Sequence, residues 1–166
     1  MRGATQLAAL LFVSALLAPL PAPAATHVPI AVADFDYRDT SGEAKDQAAQ
    51  HAARLQGFDR LLRDKLAAQG KYELMPLACA KPRCSTTTLG PEGLIDTARK
   101  AGARLLVYGG IHKESTLIQW AEVQVLDLKQ KKLVFSRTFT FRGDTDEAFR
   151  RAAGFIGASL ADLAAP

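Results

Sequence analysis

Two groups of polar residues follow apolar runs at positions where chemistry could be done. Asp34 and Asp36, with Tyr37 and Arg38, come after Ile30-Ala31-Val32-Ala33, and His112 and Lys113 come after Leu105-Leu106-Val107-Tyr108. A carboxylate pair beside an imidazole and an ammonium can hold a small ligand or move a proton. Asp34, Asp36, His112 and Lys113 are therefore the candidate ligand site. Solvation of loop ends, with Asp34 capping backbone groups, accounts for the same residues without a ligand and is the preferred reading. No G-x-S-x-G elbow supplies a nucleophile, and no Gly-rich phosphate loop follows the first apolar run. His27, His51 and His112 lack zinc-ligand spacing with either cysteine. No metal or cofactor is expected, and catalysis is not the favoured reading.

Three other groups have simpler explanations. Asp144, Asp146 and Glu147 form the densest acidic stretch but do not match a calcium loop. Asp144 followed three residues later by Glu147 reads instead as an Asp version of a capping box at a helix start. The Lys129-Gln130-Lys131-Lys132 stretch reads as a solvated hairpin turn, and basic residues without interleaved aromatics make no nucleic-acid surface. Trp120, with Ile118 two residues before it, lies on the polar side of an alternating segment. It is a candidate anchor for a protein partner, unless a helix covers it.

These residues must be positioned by a small set of elements. Residues 27–35 are β-rich and apolar on both faces, as suits a central strand. Residues 37–45 read as a loop. Ala52, Leu55, Phe58, Leu62 and Leu66 recur at helical spacing, with Gly70 as the stop. A short strand is expected over 72–77, and a second helix opens at Pro91 and ends at Gly102. Strands follow over 104–112, 116–128 and 133–141. In the last, Phe135, Phe139 and Phe141 alternate with Ser136, Thr138 and Thr140. A final helix carries Phe149, Ala152, Ala153, Ile156 and Leu160. The expected fold is a single α/β domain. Its mixed five-stranded sheet has the order β-α-β-α-β-β-β-α, with helices packed on it. The first three strands are parallel and the last three form an antiparallel meander. Gly109-Gly110 within the third strand suggests a bulge or a close backbone approach.

The 166 residues are 48% apolar and 23% charged, with 21 Lys+Arg against 17 Asp+Glu, which excludes a disordered or low-complexity chain. Much of the apolar content sits at the start. Arg2, an uncharged run over 7–17, prolines at 19, 21 and 23, and Ala22-Pro23-Ala24 have the order of a secretory signal peptide. The run is too short to span a bilayer, and no cysteine near the cut offers a lipid anchor. The expected organisation is a signal peptide over 1–24 and one secreted domain over 25–166. Cleavage removes 24 of 166 residues and one cation from a net +4, leaving 142 residues at +3. In an oxidising compartment Cys79 and Cys84 are expected to pair, closing a short loop that contributes about 2 kcal/mol.

Several stretches carry a resemblance. They are Val32-Ala33-Asp34-Phe35, Gly102-Ala103-Arg104, the run from Leu106 to Lys113, Ser115 to Ile118, Val134-Phe135-Ser136 and Arg142 to Glu147. Together they resemble a group of short secreted bacterial proteins classed as a domain of unknown function. In element order the chain is also similar to the amino-terminal domain of the periplasmic protein TolB and to envelope domains of the CsgG and LpoB kind. That resemblance implies envelope assembly or protein contact rather than catalysis. The expected function is a periplasmic or secreted, non-enzymatic accessory protein that binds an envelope protein. The alternative is a small-ligand or hydrolytic protein using the candidate ligand site.

Overall fold

A computed structural model of the chain describes residues 27–161 and 163. The expected signal peptide lies outside the described residues. The elements are β1 (Val28–Val32), β2 (Asp36–Asp39), α1 (Ala48–Ala67), β3 (Tyr72–Leu74), α2 (Thr86–Lys100), β4 (Leu105–Lys113), β5 (Ile118–Asp127), β6 (Lys132–Arg142) and α3 (Asp146–Ala161). They form one mixed sheet in the order β3-β1-β4-β5-β6, with β2 also paired to β4. β1 is parallel to β3 and β4, and β4-β5-β6 is an antiparallel meander, as the sequence predicts.

The sheet has six strands rather than five, because residues 36–39, of which 37–39 read from sequence as loop, form β2. It pairs with the second half of β4, Asp36 opposite Gly110 and Asp39 opposite Lys113, while β1 pairs with the first half, Val32 opposite Val107. One line of chain thus runs beside β4 and is interrupted at residues 33–35. Asp36, Arg38 and Asp39 carry little strand propensity and Tyr37 alone favours a strand, so pairing to β4 is what makes the stretch a strand.

The interruption is partnered at its three N–H groups and at the Phe35 carbonyl. Ala33 N–H donates to the Val107 carbonyl, and Asp34 N–H to the Cys84 carbonyl. Phe35 N–H donates to the Asp59 carboxylate, and Arg83 donates to the Phe35 carbonyl. Phe35 is fully buried, edge-on to Phe58 with centroids 5.0 Å apart. Cys79 and Cys84 are bridged, with Cα atoms 5.8 Å apart, which constrains the loop that presents Arg83 and Cys84.

Helices cover the two faces unequally. α1 and α3 bury Leu55, Phe58, Leu62, Phe149, Ile156 and Leu160 against Ile30, Val107, Ile111 and Val123. On the other face α2 buries Leu94 and Ala98 against Ala31, Ala33 and Leu106. α2 begins five residues before the expected Pro91, capped by the Ser85 hydroxyl, which accepts from Thr88 N–H. Gly90 has φ 72°, so the helix restarts at Pro91, which accounts for the proline signal. No helix among the described residues is long and apolar enough to cross a membrane.

The close approach expected at Gly109 is observed. A Cβ there would lie 2.0 Å from the Glu122 carbonyl oxygen and 2.9 Å from the Phe35 ring. Neither group can retreat cheaply, one being sheet backbone and the other a packed core ring. Gly109→Ala is predicted to destabilise the domain by at least about 1–3 kcal/mol, measured as a lower urea midpoint, whereas Gly57→Ala, in open space on α1, does not lower it.

A buried ionic cluster and an open sheet face

The strand period separates the four candidate ligand residues. Successive residues of β4 point to opposite faces, so His112 and Lys113 lie on opposite sides of the sheet. Asp34 accepts from Arg63 at 2.7 Å and from Cys84 N–H at 2.7 Å. Burial acts to raise its carboxyl, but these bonds hold it below the ordinary range. Asp36 accepts from Thr87 N–H at 3.0 Å. The structure brings Asp36 and His112 to one groove and leaves Asp34 and Lys113 outside it.

Lys113 sits in a cluster that sequence reasoning missed. Its side chain is 0% exposed. Its ammonium donates to Glu43 and, at 2.8 Å, to Asp144, and lies 3.6 Å from Asp39. Asp144 also accepts from Arg54 at 2.6 Å, and the His51 Nε2 is 2.8 Å away. Gln119, fully buried opposite Lys113, donates to the Gly143 carbonyl and holds the turn that carries Asp144. The cluster joins β2, β4, α1 and the entry to α3.

The electrostatics identify what this cluster can do. Burial works against the Lys113 ammonium, yet the hydrogen bonds it donates to Asp144 and Glu43 raise its pKa above the ordinary value. Burial would likewise raise Asp144, but Lys113 and His51 outweigh it and hold that carboxyl low. Both groups stay ionised and paired, so Lys113 is a clamp rather than a base or nucleophile. Asp144 is accordingly not the helix cap expected from sequence. Thr145 takes that place, its hydroxyl accepting from Ala148 N–H at 3.2 Å. Asp144 is legible as an acid before a helix, but only the tertiary fold reveals its partners.

Beyond α2, the second face of β4-β5-β6 carries no helix among the described residues. His112 stands beside Trp120, edge-on with centroids 4.7 Å apart, and its Nε2 is 2.5 Å from the Thr40 hydroxyl. Trp120 is half-buried. Ile118 on the same face is 40% exposed and the adjoining Leu117 67%. A groove of about 440 Å³ runs here between Asp36, Arg38, Thr87, His112, Trp120 and Glu122.

The comparisons match this architecture. The family DUF3280, described as "Protein of unknown function (DUF2380)", matches residues 28–159. No curated protein matches the sequence. The hypothetical protein CT253 from Chlamydia trachomatis is similar in structure at 14% identity, over 82% of this chain and 97% of that one, with TM-score 0.55. A PelC dodecamer from Paraburkholderia phytofirmans is similar at 16% identity, over 87% and 94%, with TM-score 0.52. The LpoB C-terminal domain from Salmonella enterica is similar at 16% identity, over 71% and 84%, with TM-score 0.46. The first two are likenesses of fold.

Two predictions follow from the charges. Asp144→Ala leaves the Lys113 ammonium buried without its main carboxylate partner. It is predicted to cost about 3–5 kcal/mol, read from urea unfolding, against under about 1 kcal/mol for the exposed Asp146→Ala. Asp59, 2% exposed, has its pKa raised by burial from 3.8 to about 6, although Phe35 N–H and Arg83 bond to it. The folded state then binds more protons than the unfolded one between those values, so this residue's contribution to stability falls as pH rises from about 4 to about 6. The loss is about 3 kcal/mol. Asp59→Asn is predicted to flatten that part of the stability curve, seen as a difference in unfolding free energy between the two proteins across pH.

Proposed function

We propose a periplasmic binding role for this chain, which belongs to the DUF3280 family of proteins of unknown function. The chain is exported by a signal peptide over residues 1–24, cut after Ala24, and works as the single domain that follows. It is a non-enzymatic accessory protein, and its partner is a protein of the cell envelope. The contact surface is the open sheet face carrying Trp120 and Ile118.

One observation carries this reading: α2 covers only the β1–β4 part of its face and leaves an aromatic ring beside exposed Ile118 and Leu117. A ring already packed against His112 loses little freedom on contact, and such aromatics contribute heavily to binding when a partner excludes water from them. The positive start, short apolar run and small-residue cut support export. The resemblance in element order to TolB-like and LpoB-like envelope domains supports the compartment. The disulfide between Cys79 and Cys84 suits it too.

A second reading is favoured by the groove itself. Asp36 and His112 line it together with Trp120, and a small polar ligand fits there. His112→Ala would then abolish a ligand-induced rise in melting temperature found in a metabolite screen, and no rise in wild type would set this reading aside.

The main reading is tested by capture from a periplasmic extract with the mature protein. Wild type is predicted to retain a defined envelope protein that the double variant Ile118→Ala, Trp120→Ala no longer holds, with the variant's circular dichroism spectrum unchanged. Retention of the same proteins by both would remove the sheet face from consideration.

A further inference from the structure

β6 ends the sheet, and its outer edge has no partner among the described residues. It is eleven residues long, and all but Phe135, Phe139 and Phe141 are exposed. Long edges of this kind are usually blunted by proline, by shortness, by a bulge, by charged side chains or by a covering element, because their free N–H and C=O groups template another strand. β6 has basic side chains and one bulge, which select against its own kind rather than against an acidic strand. β6 contains no proline and no glycine. Its one irregularity lies near its start, where Leu126 pairs with Leu133 and Val125 with Phe135. From Phe135 to Arg142 the pairing is regular, and so is the free edge.

The side chains along that edge indicate what it accepts. On the core-facing side the order is Phe135, Arg137, Phe139 and Phe141. Phe135 and Phe139 stack at 6.4 Å, and Phe155 of α3, 64% exposed, leans edge-on against Phe139 at 5.8 Å. Arg137 lies between the rings, its guanidinium 5.4 Å from the Phe139 centroid. Among the described residues it makes no ion pair. β6 holds Lys132, Arg137 and Arg142 and no acid. A second copy pairing along the full strand antiparallel would set Arg137 against Arg137 and Lys132 against Arg142, and like charges opposite one another destabilise a sheet.

We propose that the free edge of β6 takes an extended acidic segment of a partner protein as an added strand. Backbone hydrogen bonds from the Phe135–Arg142 edge hold it. A carboxylate opposite Arg137 sets its register, and apolar residues two positions to either side pack on Phe135, Phe139 and Phe155. The surface is distinct from the Trp120 face, and the inference needs neither that face nor export.

The test uses two labelled peptides as long as Phe135–Arg142, alternating valine and threonine, with glutamate in one and lysine in the other at the central valine-side position. Fluorescence anisotropy is expected to show the glutamate peptide binding roughly five- to ten-fold tighter. Arg137→Glu is expected to reverse the preference. A glutamate peptide N-methylated at alternate amides is expected not to bind, and hydrogen exchange is expected to slow at β6 amides when the unmodified peptide binds. Four results would each overturn the proposal: no binding of the glutamate peptide, equal binding of both peptides, an unchanged preference in Arg137→Glu, or equal binding of the N-methylated peptide. Concentration-dependent protection of β6 in the protein alone would place a second copy on the edge and overturn it as well.

Discussion

The structure depends on one fully buried cation. The Lys113 ammonium is enclosed at the end of β4, and an ion removed from water is tolerated only if its partners are fixed in place. Asp144, Glu43 and Asp39 provide those partners, each from a different segment. Asp144 is itself bonded by Arg54 of α1, so the entry to α3, the α1 helix and the last residue of β4 meet at one carboxylate. Apolar packing of α1 and α3 on the sheet tolerates small slides. The charge cluster does not, because a slide would strand an ion. It thereby sets the register of both helices against the strands, and the Phe149 and Leu55 contacts follow from that.

A second constraint acts at the other end of the same line of chain. The break between β1 and β2 interrupts the ladder at residues 33–35, and there the Asp34 and Phe35 N–H groups and the Phe35 carbonyl are met by the disulfide loop and by the Asp59 and Arg83 side chains. The break also brings Phe35 over Gly109, where a ring fits only because position 109 has no Cβ. The two cysteines therefore act at a distance from their own loop. By holding Arg83 and Cys84 in place, their bridge supplies partners to Asp34, Phe35 and the buried Asp59.

What was legible in the sequence is what repeats at short range. The stripe Leu55, Phe58, Leu62 and Leu66 placed α1, and the alternation of Phe135, Phe139 and Phe141 placed β6 and its buried side. The cysteine pair was legible from spacing and compartment together. β2 was not, since one tyrosine among Asp36, Arg38 and Asp39 becomes part of a strand only when β4 lies alongside. The cluster left two signals in the pattern. His51 lies four residues before Leu55, on the apolar stripe of α1, and Lys113 continues the inward positions Leu105, Val107 and Ile111. A charged or imidazole side chain on a buried stripe requires partners, but which carboxylates answer it depends on segments separated from it by up to 93 residues. Asp144 carried the opposite ambiguity, because its place before a helix offered a local role that Thr145 in fact fills.

The position of β1 in the sheet has a consequence for how the chain reaches this state. β1 is the first element in sequence, yet it lies between β3 and β4, and Ile30 faces Leu105. A chain delivered amino-terminus first, by a ribosome or through a translocation channel, therefore presents its most apolar strand long before either flanking strand exists. The β4-β5-β6 meander, by contrast, needs only its own neighbours in sequence and arrives last. Pairing of β1 on both of its edges must wait for β4, and until then an apolar strand stands uncovered, which makes the interval before β4 emerges a period of exposure to misassociation.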